Sequence, residues 1–171
     1  MSSVEMLEKE VLKAQKDGDI ASLYMLEQRA HETFDEDTLA SFYVTVLDIA
    51  LERLTDTLES HKSMDIGEVQ DFSTLRALYE YAMENYSEGK ISDASALFEV
   101  LSGLSNSKEF SDALKVHWFA SAKDMPLDDF LELIADLDAT SEAETFYISY
   151  FNDKEAQKLL ENSQIDGELT I

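Results

Sequence analysis

Leu78-Tyr79-Glu80-Tyr81-Ala82-Met83-Glu84-Asn85-Tyr86-Ser87-Glu88-Gly89-Lys90-Ile91-Ser92-Asp93-Ala94-Ser95-Ala96-Leu97-Phe98-Glu99-Val100-Leu101 is the stretch that decides the fold. Leu78, Tyr79, Ala82, Met83 and Tyr86 recur at spacings of three and four, Ser87-Glu88-Gly89-Lys90 interrupts them, and Ile91, Ala94, Leu97, Phe98 and Leu101 resume the period. Residues so spaced share one helix face. The pattern predicts two helices joined by a turn at Gly89. Ala82 and Ala94 are small where the two helices cross, and Gly89 supplies a turn geometry that a Cβ hinders. Phe98 fills the space toward a neighbouring hairpin, with Leu78 and Leu101 in the same packing set.

Working outward, helix remains the expectation, because the chain has one proline and five glycines. Val4, Leu7, Val11 and Ala14 predict an amphipathic helix ended by Lys16-Asp17-Gly18-Asp19. A second helix starts with Asp19 as N-cap and runs to about Thr33. The third, Asp37 to about His61, carries apolar residues around more than half of its circumference, so it is expected to be buried on several sides or to meet another subunit. Ser63 to Ser73 has no helical period and reads as a connection. Beyond the central hairpin, helical pairs are expected through Phe110, Leu114, Val116 and Trp118, split near Pro126 from Leu127, Phe130, Leu131, Ile134 and Leu137. A last pair runs through Phe146, Tyr147, Tyr150 and Phe151, then Ala156, Leu159 and Leu160. The expected organisation is a helical region over 1–66 that can dimerise, helical repeats over 67–162, and a disordered tail over 163–171.

Composition narrows the function. Thirteen Lys+Arg against 37 Asp+Glu give a net charge of −24, while 44% apolar residues supply a core. So negative a surface repels phosphate backbones and anionic lipid, which argues against nucleic acid and direct membrane binding. With no cysteine, thiol nucleophiles, thiolate metal sites and disulfides are excluded. Met1 to Leu7 lacks the features of a signal peptide and no long apolar run occurs, so a cytoplasmic protein is expected. His31, His61 and His117 are far apart and in no metal spacing, and the carboxylate pairs are explained by capping. No phosphate loop or nucleophile motif is present, so neither an enzyme nor a cofactor or metal site is expected.

The hairpin fits the tetratricopeptide repeat, a helix-turn-helix unit of about 34 residues, position by position. Its fold is then an all-α solenoid of helix-turn-helix units behind an N-terminal helical segment. The rhythm Leu-Tyr-x-x-Ala-x-x-x-Tyr-x-x-Gly-Lys-x-x-Asp-Ala-x-x-x-Phe-x-x-Leu further resembles the first repeat of the class II type III secretion chaperones, the SycD/LcrH type, over 24 of the 171 residues, Leu78 to Leu101. Later repeats are degraded: the counterpart of Gly89 falls near Asp124 or Met125, and Asp93-Ala94 becomes Asp128-Asp129. The resemblance implies a bacterial, cytosolic, homodimeric chaperone that keeps a secreted translocator or effector protein soluble in a groove lined by the first helix of each repeat. Carried over, the groove residues are Tyr79, Met83 and Tyr86, and the period extends them to Leu114, Trp118 and Ser121.

Taken singly, Tyr79, Met83, Tyr86 and Trp118 fit an inter-helix core as well. The competing functional reading is a scaffold or adaptor that joins folded partners, or a regulatory subunit of a secretion machine that makes its main contact through the first 61 residues.

Overall fold

The computed structural model describes residues 1–166 and is all-α. The helices are α1 (Ser3–Asp17), α2 (Ile20–Thr33), α3 (Glu36–Glu59), α4 (Val69–Ser87), α5 (Ile91–Leu104) and α6 (Lys108–Ala122). After them come α7 (Leu127–Asp129), which runs into a π-helical turn (Phe130–Ile134), then α8 (Leu137–Ala143) and α9 (Asp153–Asp166). Among the described residues no helix is long and apolar enough to cross a membrane.

Helix ends are set locally. Ser2, Asp19, Asp35, Ser107 and Asp136 each accept a bond from a backbone N–H of the first turn. Four helices end in one way: the backbone N–H groups of Gly18 and Asp19 bond back to Gln15 and Ala14, and the same pair of bonds recurs at His61-Lys62, Gly89-Lys90 and Asp124-Met125. This is a Schellman stop, whose pivotal residue lies in the left-handed region. Accordingly φ is 64° at Gly18, 55° at His61, 81° at Gly89 and 59° at Asp124. The repeat spacing therefore survives in the second hairpin, with Asp124 in the glycine's place; a short Asx side chain tolerates that conformation.

The chain divides into two compact units, Met1–Leu78 and Tyr79–Ile171, with the division inside α4. In the first unit Leu7, Ile20, Leu23, Ala30, Phe42, Val46, Ile49, Ala50 and Leu75 are buried. Gln70 joins the start of α4 to α2, donating to Asp19 at 2.7 Å and accepting from the Ala21 N–H at 3.3 Å. Arg53 of α3 bonds Thr74 at 2.9 Å and Asp71 at 3.0 Å. These ties explain why α4 starts at Val69, within the expected connection 63–73. Helix α3 buries one face, Phe42, Val46, Ile49 and Ala50; its second apolar side is not enclosed, since Val44 and Leu58 are exposed.

In the second unit Tyr79 and Tyr86 of α4 lie against Phe98 of α5 at ring distances of 6.4 and 5.8 Å, and Phe98 lies 5.1 Å from the His117 ring of α6. Leu78, Ala82, Ala94, Phe98 and Leu101 are all buried.

Two expectations fail here. Residues 144–152 do not form a helix. Phe146-Tyr147-Ile148 is aromatic and β-branched, a composition that favours extended backbone, and Phe151 makes an antiparallel bridge to Ala135, with Asn152 N–H donating to Ile134 C=O at 2.7 Å. At the carboxyl end α9 continues through Asp166, four residues into the expected tail 163–171; the remainder of that tail lies outside the described residues.

Candidate functional site

Helix α6 is buried on most of its circumference, through Phe110, Ala113, Leu114, Val116, His117, Phe119, Ala120 and Ser121. One side of it opens onto a cleft of about 1090 Å³, walled by α6, by the non-helical segment after α8 and by α9. Val116, Trp118 and Phe119 come from α6, Tyr147, Tyr150 and Phe151 from the segment, and Ala156 and Leu160 from α9. Polar groups stand among them: Glu109, Asp112, Lys115, Asp153 and Gln157. Asp112 is held by Lys108 at 2.5 Å. Burial, then the Glu109 carboxylate, pushes the Tyr147 hydroxyl above its ordinary range.

The non-helical wall is fixed by named bonds. Thr145 Oγ1 donates to Tyr147 C=O at 2.7 Å, Thr140 Oγ1 accepts from the N–H groups of Ser149 at 3.3 Å and Tyr150 at 3.2 Å, and the Asp136 N–H donates to Tyr150 C=O at 2.9 Å. Phe110 meets Tyr147 edge-on at 4.9 Å and Phe146 at 5.7 Å. Aromatic pairs at such distances stabilise beyond the area they bury.

Beneath the wall lies a buried polar relay. His117 Nδ1 is 2.8 Å from the Ala113 carbonyl, which only accepts, so Nδ1 carries the proton. Nε2, 2.8 Å from Tyr79 Oη, then accepts from the tyrosine, whose oxygen accepts from the Ile148 N–H at 3.0 Å. Burial holds His117 at about 4, far below the usual histidine range, so it is neutral at pH 7. With both ring nitrogens occupied, His117 offers none to a ligand in the cleft.

The relay corrects the groove drawn from the sequence. Tyr79 and Tyr86 are buried, Tyr79 on His117 and Ile148 and Tyr86 through a 2.6 Å bond to the Met125 carbonyl. Leu114 is enclosed, and Ser121 is too, its hydroxyl donating back to the His117 and Trp118 carbonyls of its own helix. Met83 is half-buried and outside the cleft. Of the six, Trp118 lines the cleft, half-buried, with its ring 4.9 Å from Phe119. Missed by that reading were Tyr147, Tyr150 and Phe151, whose spacing fits a helix and whose contrary signal is an aromatic, β-branched run without a strong helix former. Among the described residues no group of His, Asp and Glu is gathered so as to hold a metal ion.

Compared with protein-family models, with curated proteins and with solved structures, the chain matches none.

Proposed function

We propose that this protein binds an apolar segment of another protein in the cleft between α6, the non-helical wall and α9, and thereby keeps that partner soluble before it is exported or assembled. The observation that carries this reading is the cleft itself: aromatic and aliphatic side chains of three elements converge on an open volume of about 1090 Å³. A site with an apolar floor and a few polar groups suits a partner's side chains. The net charge of −24 supports the same role, because a carrier of apolar cargo stays dispersed by self-repulsion. In the class of client implied by the sequence resemblance, a hydrophobic type III secretion translocator, apolar segments are what needs cover.

The test pairs the native cell with a cleft variant. The protein is recovered from its own cells with whatever it holds, as wild type and as Trp118→Ala/Tyr150→Ala. Under this reading a client rich in apolar segments co-purifies with wild type, is lost with the variant, and turns insoluble in cells that lack the protein. A co-purifying partner retained by the variant would overturn the cleft assignment. The adaptor reading draws on the bounded cleft and its charged rim, which suit one short segment; it expects a partner that stays soluble without the protein.

A further inference from the structure

Helix α3 carries a second apolar stripe away from its buried face: Ala40, Val44, Leu47, Leu51, Leu54 and Leu58. Their spacings alternate four and three residues, a mean of 3.5, which is the a/d register of a coiled-coil seam. Val44 is 58% exposed and Leu58 50% exposed, Ala40 is exposed, and Leu47, Leu51 and Leu54 are half-buried. From Ala40 to Leu58 the stripe runs about 27 Å at the helical rise of about 1.5 Å per residue. An a/d stripe is the surface into which the side chains of a second helix interdigitate along its length.

Charge decides the kind of helix. Asp48 flanks the stripe, Glu52 and Glu59 lie further round the same side, Asp56 lies on the far side, and Glu36 and Asp37 stand at the start of the helix. Among the described residues, Asp48, Glu52, Asp56 and Glu59 have no ion-pair partner. Arg53, the one basic residue of α3, is taken up by Asp71 and Thr74. A second copy would bring its own Asp48, Glu52 and Glu59 beside this face, and another net charge of −24. A helix with lysine or arginine beside its apolar positions meets both demands.

We propose that the Ala40–Leu58 seam docks a cationic amphipathic helix of another protein, leucine-like at a and d and basic on its flanks. The probes are two synthetic 21-residue helical peptides with leucine at every a and d position, one with lysine and one with glutamate at the flanking positions, titrated by fluorescence anisotropy into the full chain. The lysine peptide is expected to bind, at least tenfold tighter than the glutamate peptide, and to weaken as salt rises. Val44→Glu and Leu58→Glu change exposed side chains, so helix content by circular dichroism stays at the wild-type value while binding falls at least tenfold. Trp118→Ala/Tyr150→Ala leaves it unchanged, which separates this site from the cleft.

Lysine-peptide binding that survives both seam variants, equal binding of the two peptides, or loss of binding in the cleft variant would each overturn the proposal. So would sedimentation showing a dimer of the chain that Val44→Glu dissociates, because the seam would then belong to a second copy.

Discussion

Acid should unfold this protein partly through one residue, His117. In the folded chain burial holds its imidazole at about 4, against an ordinary value of 6.5. As pH falls, the unfolded chain takes up the proton near 6.5 while the folded chain does not. Stability from this group is therefore complete above pH 6.5, declines between 6.5 and 4, and loses nothing more below 4. A gap of about 2.5 pH units at about 1.36 kcal/mol each gives a loss of about 3 kcal/mol. The geometry says why the folded state resists: a second ring proton would point Nε2–H at Tyr79 Oη, which already accepts from Ile148, and the tyrosine's own proton would lose its acceptor.

The assay is urea unfolding by circular dichroism at pH 7.5, 6, 5 and 4, on wild type and on His117→Gln. Acidification also neutralises many of the 37 carboxylates and relieves their repulsion, so the wild-type curve alone is ambiguous. The difference between the two proteins removes that common background. Wild type should lose about 3 kcal/mol relative to His117→Gln between pH 7.5 and 4. Parallel curves would refute the sealed, neutral imidazole.

Further outcomes follow from the same geometry. Tyr79→Phe keeps the ring contacts but strands the Ile148 N–H and His117 Nε2; at about 1–3 kcal/mol per buried orphan, urea unfolding at pH 7.5 should show a loss of about 2–6 kcal/mol, and a loss below about 1 kcal/mol would count against the relay. Gly89→Ala meets open space but a φ of 81°, so it should cost about 1–2 kcal/mol. Gly103→Ala, inside α5 and equally unobstructed, should stabilise by about 0.5–1 kcal/mol in the same assay. His61→Gly relieves a φ of 55° at an exposed helix end and should raise the melting temperature, with a gain of about 0.5–1 kcal/mol. A fall on His61→Gly would mean that the imidazole holds something there.

What the sequence made legible is what local chemistry dictates. Asp19 and Gly18 announce a helix start and stop because a side-chain oxygen and a missing Cβ act within a few residues of themselves. The hairpin at Gly89 follows from the same rules, and its counterpart at Asp124 keeps its backbone bonds despite losing the glycine. Helical spacing placed Tyr79, Met83 and Tyr86 on a common face but carried no information about what that face meets. For Tyr79 part of the answer lay 67 to 69 positions further along: Ile148 reaches it through its backbone N–H, and Phe146 and Tyr147 through their rings, 6.1 and 6.4 Å away.

One misreading accounts for the placing of Tyr79 and for the missed cleft wall. Reading a helix through Phe146, Tyr147, Tyr150 and Phe151 left Tyr79 free for the groove and erased the cleft, since the same non-helical segment covers the first and forms a wall of the second. The segment's bonds to Thr140, Asp136 and Tyr79 are long-range or side-chain-mediated, which no periodicity records. Its composition did carry a sign. Thr145-Phe146-Tyr147-Ile148-Ser149-Tyr150-Phe151 keeps helical spacing, with Tyr147, Tyr150 and Phe151 three and four apart, but contains no strong helix former, in a chain otherwise rich in them. Where a helical repeat breaks its own pattern with aromatics, the break is where a non-repeating surface can be built, and here the cleft stands on it.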